Sequence, residues 1–197
     1  MSKPGFTRAE PDARRLSLIA ATARVLAREG ASGASVRTIA VEAGVSPGLI
    51  AHHFDGVHAL IAATYAHVGD QVSTALEAAI GAVGDDPRAR LHAYVAASFS
   101  PPIADRALLA TWTALWGLVI AQPAIAALHD AQYAHYRSEI EKLLAACGMA
   151  TKARRRAAIA ITALVDGLWL ELCLSPAVLD ADEARAIAEA QIAALFR

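Results

Sequence analysis

Two groups of residues in this 197-residue chain have the types and spacing to do chemistry. The first is aromatic. Trp112 and Trp116 stand at i, i+4, the spacing that puts two side chains on one helix face. Tyr94 and Phe99 precede them, Tyr133 and Tyr136 follow, and Trp169 comes later, close to Asp166. Aromatics are only 6% of the chain, so their grouping is informative. Aromatic faces attract a quaternary ammonium by cation–π contact, worth about 2 kcal/mol or more when desolvated, and Asp166 can supply a countercharge. The same side chains at helical spacing can equally fill a hydrophobic core. Asp166-Gly167 can also mark a close helix crossing at a subunit interface.

The second group lies in Ser35–Phe54, SVRTIAVEAGVSPGLIAHHF. Val36, Ile39, Ala40 and Ala43 recur at i, i+3, i+4, i+7, the pattern of a short amphipathic helix. Gly44 follows where a helix end needs a residue that tolerates the left-handed region. Ser46-Pro47 restarts a helix as N-cap and first helical residue, with Val45, Leu49, Ile50 and Phe54 inward. Ser46, Pro47, Gly48, Ala51 and His52 are left outward, small residues plus an imidazole suited to close approach to a duplex. Two helices joined by a short Gly-containing turn make a helix-turn-helix, whose second helix enters the DNA major groove. An ordinary corner between two helices has the same spacing. Arg37 faces away from the apolar stripe, toward DNA or simply toward solvent. His53 can bond a phosphate or cap the local core.

These residues need helices to position them. The spacing predicts a first helix over 12–29 with Leu16, Ile19, Ala20, Ala23 and Leu26 inward, ended by Gly30. A long helix runs over 57–83 with Leu60, Ile61, Thr64 and Val68 in register. Asp86-Pro87 opens a helix to Phe99, and further helices cover 105–121 and 123–147. Thr151 caps a helix to Leu174, and Asp180 with Glu183 starts the last one. Residues 1–11 read as a flexible cationic arm. The expectation is an all-α chain of nine helices: a three-helix head over 1–56 and a bundle of about six helices over 57–197. The apolar faces of the last two helices, with Ile159, Ile161, Leu164, Leu168, Leu172, Ile187 and Ile192, can form a four-helix interface between subunits or be buried within one.

Composition narrows the function. Hydrophobic residues make up 56%, which favours a packed bundle over disorder. The net charge is -1, yet residues 1–58 carry seven cations against five anions, a local excess compatible with DNA. The two cysteines, Cys147 and Cys173, form no disulfide framework, which fits a reducing cytoplasm. Residues 1–15, MSKPGFTRAEPDARR, have no apolar core of the kind a signal peptide needs, so none is expected there. Residues 107–129 lack Asp, Glu, Lys and Arg, but Gln122-Pro123 interrupts them, so a core helix is expected there and no membrane span. No metal-ligand spacing, Gly-rich phosphate loop or nucleophile with a base stands out, and His129 and His135 fall off one face. No catalysis, cofactor or metal is expected. A helical module that only binds other proteins is the remaining alternative.

The stretch Leu18-Ile19-Ala20-Ala21, Gly30, Val36-Arg37, Ile39-Ala40, Ala43-Gly44-Val45-Ser46, Gly48, Ile50 and His52-His53-Phe54 resembles the TetR family of transcriptional repressors. Trp112-Thr113-Ala114-Leu115-Trp116-Gly117, Gln122-Pro123 and Ala163–Leu170 resemble its BetI-type branch, which controls choline-to-glycine-betaine genes. The resemblance implies a homodimer joined through the last two helices, a double-stranded operator, and a small-molecule effector such as choline. It implies DNA contacts from Arg37, Ser46, Pro47, Gly48, Ala51, His52 and His53. It implies a ligand site from Tyr94, Phe99, Trp112, Trp116, Tyr133, Asp166 and Trp169. A relative sensing another small hydrophobic or cationic molecule would share this pattern. Many relatives carry Lys at the sites of Pro47 and Val57 and Tyr at that of Ala51; this chain has none of the three. Fewer ionic phosphate contacts follow, and so a shallower salt dependence.

Overall fold

The computed structural model describes residues 9–196, and the expected arm over 1–11 lies almost wholly outside them. Among the described residues there are nine helices and no strand. They are α1 (Ala9–Gly33), α2 (Val36–Ala43), α3 (Pro47–His53), α4 (Gly56–Gly81), α5 (Pro87–Ala97), α6 (Arg106–Val119), α7 (Pro123–Ala146), α8 (Thr151–Leu174) and α9 (Ala181–Ala194).

Local chemistry sets most of the boundaries. The first helix breaks at Gly30, whose φ of 69° and ψ of -173° are not helical, before one more turn to Gly33. Ser35 closes a capping box on α2: its side chain accepts from the Thr38 N–H while Thr38 accepts from the Ser35 N–H. Gly44 ends α2 in the left-handed region at φ 65°. Asp86, Asp105 and Asp180 each cap the helix that follows. Two expected caps differ. Ser46 precedes α3 but its side chain makes no capping bond, since Pro47 already removes one N–H that would need a partner. Thr151 is the first residue of α8 rather than its cap; that place falls to Ala150.

Two cores share one scaffold. The head core is Leu18, Ile19, Val25, Ile39, Ala40, Ile50, Phe54 and Leu60, drawn from α1, α2, the end of α3 and the start of α4. The body core contains Leu26 of α1 along with side chains of α4 to α9. So α1 and α4 both run through the junction. The buried stripe of α1 is Leu18, Ala21, Thr22 and Val25 with Ile19 and Leu26, while Leu16 (51% exposed) and Ala20 face solvent. The expected stripe was rotated by about one residue, because the helix packs on α6, α2 and α4 together instead of on one partner.

The apolar run over 107–129 is divided between α6 and α7, which turn by 120° at their break, so it forms no straight span. The one described helix long and apolar enough to cross a membrane is α8. Its inner side is packed with Ala158, Ile161, Val165 and Trp169 in the core. Its outer side carries Ile159, Ala160, Ala163, Gly167, Leu170 and Leu174, all exposed, and Ile187 of α9 is exposed too. Ile161, Leu168 and Ile192, expected at a subunit interface, are buried inside the protomer instead. A helix packed on one side and apolar on the other gives the same sequence signal for both faces.

Candidate functional site

The helix-turn-helix presents its second helix to solvent. Gly48, Ala51 and His52 of α3, and Ser46 and Pro47 at its start, are exposed, as is Arg37 on α2. Ile50 and Phe54 hold α3 from below, packed against α1, α2 and α4. His53 is half-buried, and burial first, then His52, Arg15 and Arg14, lower its pKa, so its ring is neutral near pH 7. It is a weaker source of positive charge than the sequence implies.

The cations of α1 have mostly structural partners. Arg15 donates to the His53 carbonyl, satisfying the last turn of α3, and its guanidinium lies 4.2 Å over the Phe54 ring. Arg24 and Arg28 both pair with Glu42 of α2, at 2.6 and 2.9 Å. These hydrogen bonds lower the Glu42 pKa. Among the described residues, the head arginines Arg14, Arg15 and Arg37 form no ion pair, and of these only Arg15 has another partner, the His53 carbonyl and the Phe54 ring. Arg15 was missed at the sequence level. Its register, facing the C-terminus of α3, exists only after folding.

The aromatic group gathers around a cavity of about 60 Å³ between α4, α6, α7 and α8. Trp112, Tyr133, Asp166 and Trp169, four of the candidate ligand residues, line it. Gly69, Ser73, Ser98, Gln132, Tyr136 and Val165 join them. Tyr94 and Phe99 do not: both are core, Tyr94 stacking on Tyr136 at 5.5 Å behind the wall. Trp116 lies one turn past Trp112, ring centroids 6.3 Å apart, and is also off the lining. A face of α6 wide enough to hold both tryptophans meets the cavity at one of them only.

Hydrogen bonds fix the walls. Tyr133 donates to Asp166 at 3.0 Å, and the Trp169 indole donates to the Ser98 carbonyl at 2.9 Å. Tyr65 meets Trp112 edge-on at 5.1 Å and bonds His129 at 3.0 Å, while His129 stacks on Tyr133 at 4.1 Å. Burial lowers the His129 pKa, so this ring too is neutral near pH 7. Trp112 Nε1, Gln132 Oε1 and the Tyr136 hydroxyl are buried without a hydrogen-bond partner among the described residues. A ligand that bonds them would relieve a cost of about 1–3 kcal/mol apiece.

Asp166 supplies the charge. Burial pushes its carboxyl up to about 6, against the Tyr133 hydrogen bond and Arg137, which pull it down. An ionised carboxylate among aromatic rings attracts a cation twice over, by charge and by the π faces. Gly69 and Gln132 belong to the same constellation: a Cβ on Gly69 would overlap the Gln132 amide. Sequence reasoning passed over both. An unexplained Gly inside a long apolar helix was the available signal.

The helix that supplies Trp112 also touches the head. Thr111, next to the cavity's Trp112, donates to the Ala23 carbonyl of α1 at 3.1 Å. At the other end of α4, His58 lies 3.3 Å from Gln122 between α6 and α7.

Two family models match the chain. Residues 18–64 match the family model for bacterial regulatory proteins of the tetR family, and residues 87–197 the BetI-type transcriptional repressor C-terminal model. The HTH-type transcriptional regulator BetI of Vibrio vulnificus is 33% identical over 178 residues, 90% of this chain and 89% of that one. BetI of Paraburkholderia phytofirmans is 33% identical over 177 residues, 89% of each. A Pseudomonas aeruginosa PAO1 crystal structure described as that of a transcriptional regulator shares 43% identity and a TM-score of 0.86, covering 95% of this chain and 92% of that one. A Saccharomonospora viridis protein of the same fold, solved in complex with choline, has a TM-score of 0.82 at 20% identity, covering 92% of this chain and 96% of its own. The chain therefore belongs to the TetR family as a BetI-type transcriptional regulator.

Proposed function

We propose that the protein is a dimeric repressor whose operator affinity is set by a small quaternary ammonium, choline being the first candidate, held against Asp166. The observation that carries this is an ionisable carboxylate, largely buried, in a cavity walled by Trp112, Tyr133, Tyr136 and Trp169. The choline complex of the Saccharomonospora viridis protein supports the same ligand class. No catalytic step is required, and the protein acts in the cytoplasm, beside the chromosome.

In this reading residues 1–56 bind DNA and 57–197 bind effector and dimerise. Arg37, His52 and the Gly48 N–H at the start of α3 meet phosphates and base edges, while Ser46, Pro47 and Ala51 allow close approach. Two such heads must face half-sites about one helical turn apart, so the outer faces of α8 and α9 join two protomers. Effector entry shifts α4 and α6 against α1 and changes the spacing of the heads. The expected coupling is about 1–3 kcal/mol between two states.

The test is operator binding by fluorescence anisotropy, using DNA upstream of the protein's own gene, with and without choline. Binding that responds to choline supports the whole reading. Binding that ignores choline but responds to another compound retains the repressor and replaces the effector. Failure to bind DNA refutes the function.

A further inference from the structure

We infer that the cavity opens to solvent through the seam between α4 and α7, that the Gln132 side chain is its door, and that Asp70 and Glu77 make its outer mouth selective for cations. The inference rests on the cavity reading above but concerns the route into it. Outside the seam lies a second hollow, lined by Asp70, Ser73, Thr74, Glu77, Gln132 and His135. Ser73 and Gln132 line the inner cavity as well. The two hollows are thus separated by little more than these two side chains.

The door is held loosely. Gln132 Nε2 reaches the Ala66 carbonyl at 3.4 Å, a long bond, and Gln132 Oε1 has no partner although it is buried. The amide rests on α4 where Gly69 offers bare backbone, and no other residue type would leave that space. A glutamine has several rotamers, so it can swing away without moving either helix. Asp70 and Glu77 sit seven apart on α4, on one face, and both are exposed. His135 is the one basic-capable group lining the mouth. Two carboxylates lining the entrance raise the local concentration of cations and repel anions. The inward order is then outer carboxylates, amide door, aromatic walls and Asp166.

The test does not need the physiological effector. In the full-length chain with Cys147→Ala and Cys173→Ala, Val165→Cys places one thiol on the far wall of the cavity. Leu76→Cys, on a different wall, repeats the measurement in case the first variant folds poorly. The thiol is labelled with a methanethiosulfonate carrying a trimethylammonium group, and in parallel with one carrying a sulfonate. Gln132→Ala is expected to speed both reactions by about tenfold. Asp70→Asn with Glu77→Gln is expected to slow the cationic reagent by about tenfold and leave the anionic one unchanged or faster. Labelling rates indifferent to position 132 and to both carboxylates would overturn the inference. Saturating choline that fails to protect the thiol would count against choline as effector and leave the route standing.

Discussion

Asp166 titrates near pH 6 because most of its surface is removed from water while only Tyr133 and Arg137 favour its charge. The sign of the pH dependence follows. The folded-state pKa lies above the ordinary 3.8, so ionisation costs the fold stability, progressively from about pH 4 to pH 6 and fully above that. A bound cation needs the ionised form. Choline affinity is therefore expected to rise with pH, fall about tenfold per pH unit below 6, and level off above 7, as measured by tryptophan fluorescence titration. Asp166→Asn should abolish that pH dependence and weaken binding at least tenfold. It should also raise the unliganded protein's stability above pH 7 by on the order of 2 kcal/mol in a denaturant titration. On the head, Arg37 is exposed and has no ion pair among the described residues, so Arg37→Ala is expected to cost operator affinity about 1–3 kcal/mol while the melting temperature stays put.

Helices carry these residues into place through caps and crossings. The α2 capping box links Ser35 and Thr38 reciprocally, and Thr38 also donates to the Gly33 carbonyl at 2.7 Å. Ser35→Ala is expected to lose about 1 kcal/mol of stability by thermal melt. The crossing of α1 and α6 has a sharper consequence. Thr111 Oγ1 donates across it to the Ala23 carbonyl as well as to its own helix. This bond joins the cavity's wall to the helix that underlies the head. Thr111→Val keeps the shape and removes the link. Effector affinity should hardly change, whereas the ratio of operator affinities with and without effector should shrink toward one. An unchanged ratio would place the coupling elsewhere, with α4 the other continuous element.

Viewed as an assembly, the protomer leaves an apolar strip that water should not cover. Ile159, Leu170 and Leu174 on α8 are 43%, 38% and 66% exposed, with Ala163 and Gly167 between them allowing close helix approach. Ala163→Glu puts a charge in the middle of that strip. In the dimeric reading, sedimentation should show a shift toward monomer and operator binding should fall, with helix content by circular dichroism unchanged. A monomer that still binds its operator at full strength would contradict the two-headed mechanism. The salt dependence of operator binding is likewise a whole-molecule property: Arg15, Arg24 and Arg28 are engaged by α3 and Glu42, which leaves Arg14 and Arg37 for phosphates among the described head arginines. That explains why a net charge counted along the head overstates its field.

Much of this molecule is written locally. Gly44, Asp86, Asp105 and Asp180 act within a turn of themselves, so helix ends there could be read directly. The i, i+3, i+4 stripes of α2 and α4 likewise named Ile39, Ala40, Leu60, Ile61, Thr64 and Val68, all now buried. Of the cavity, Trp112, Tyr133, Asp166 and Trp169 were legible because their side chains announce their chemistry. Gly69 and Gln132 were not, since their role is a fit between two helices that are far apart in sequence. Nor could periodicity say which side of α8 turns inward, because both sides are apolar. The chain order alone determined the helices, their caps and the chemical types available for a site. Only packing decided which tryptophan faces the cavity, which arginines are already engaged and how far burial raises one carboxyl, since each depends on neighbours that sequence distance does not reveal.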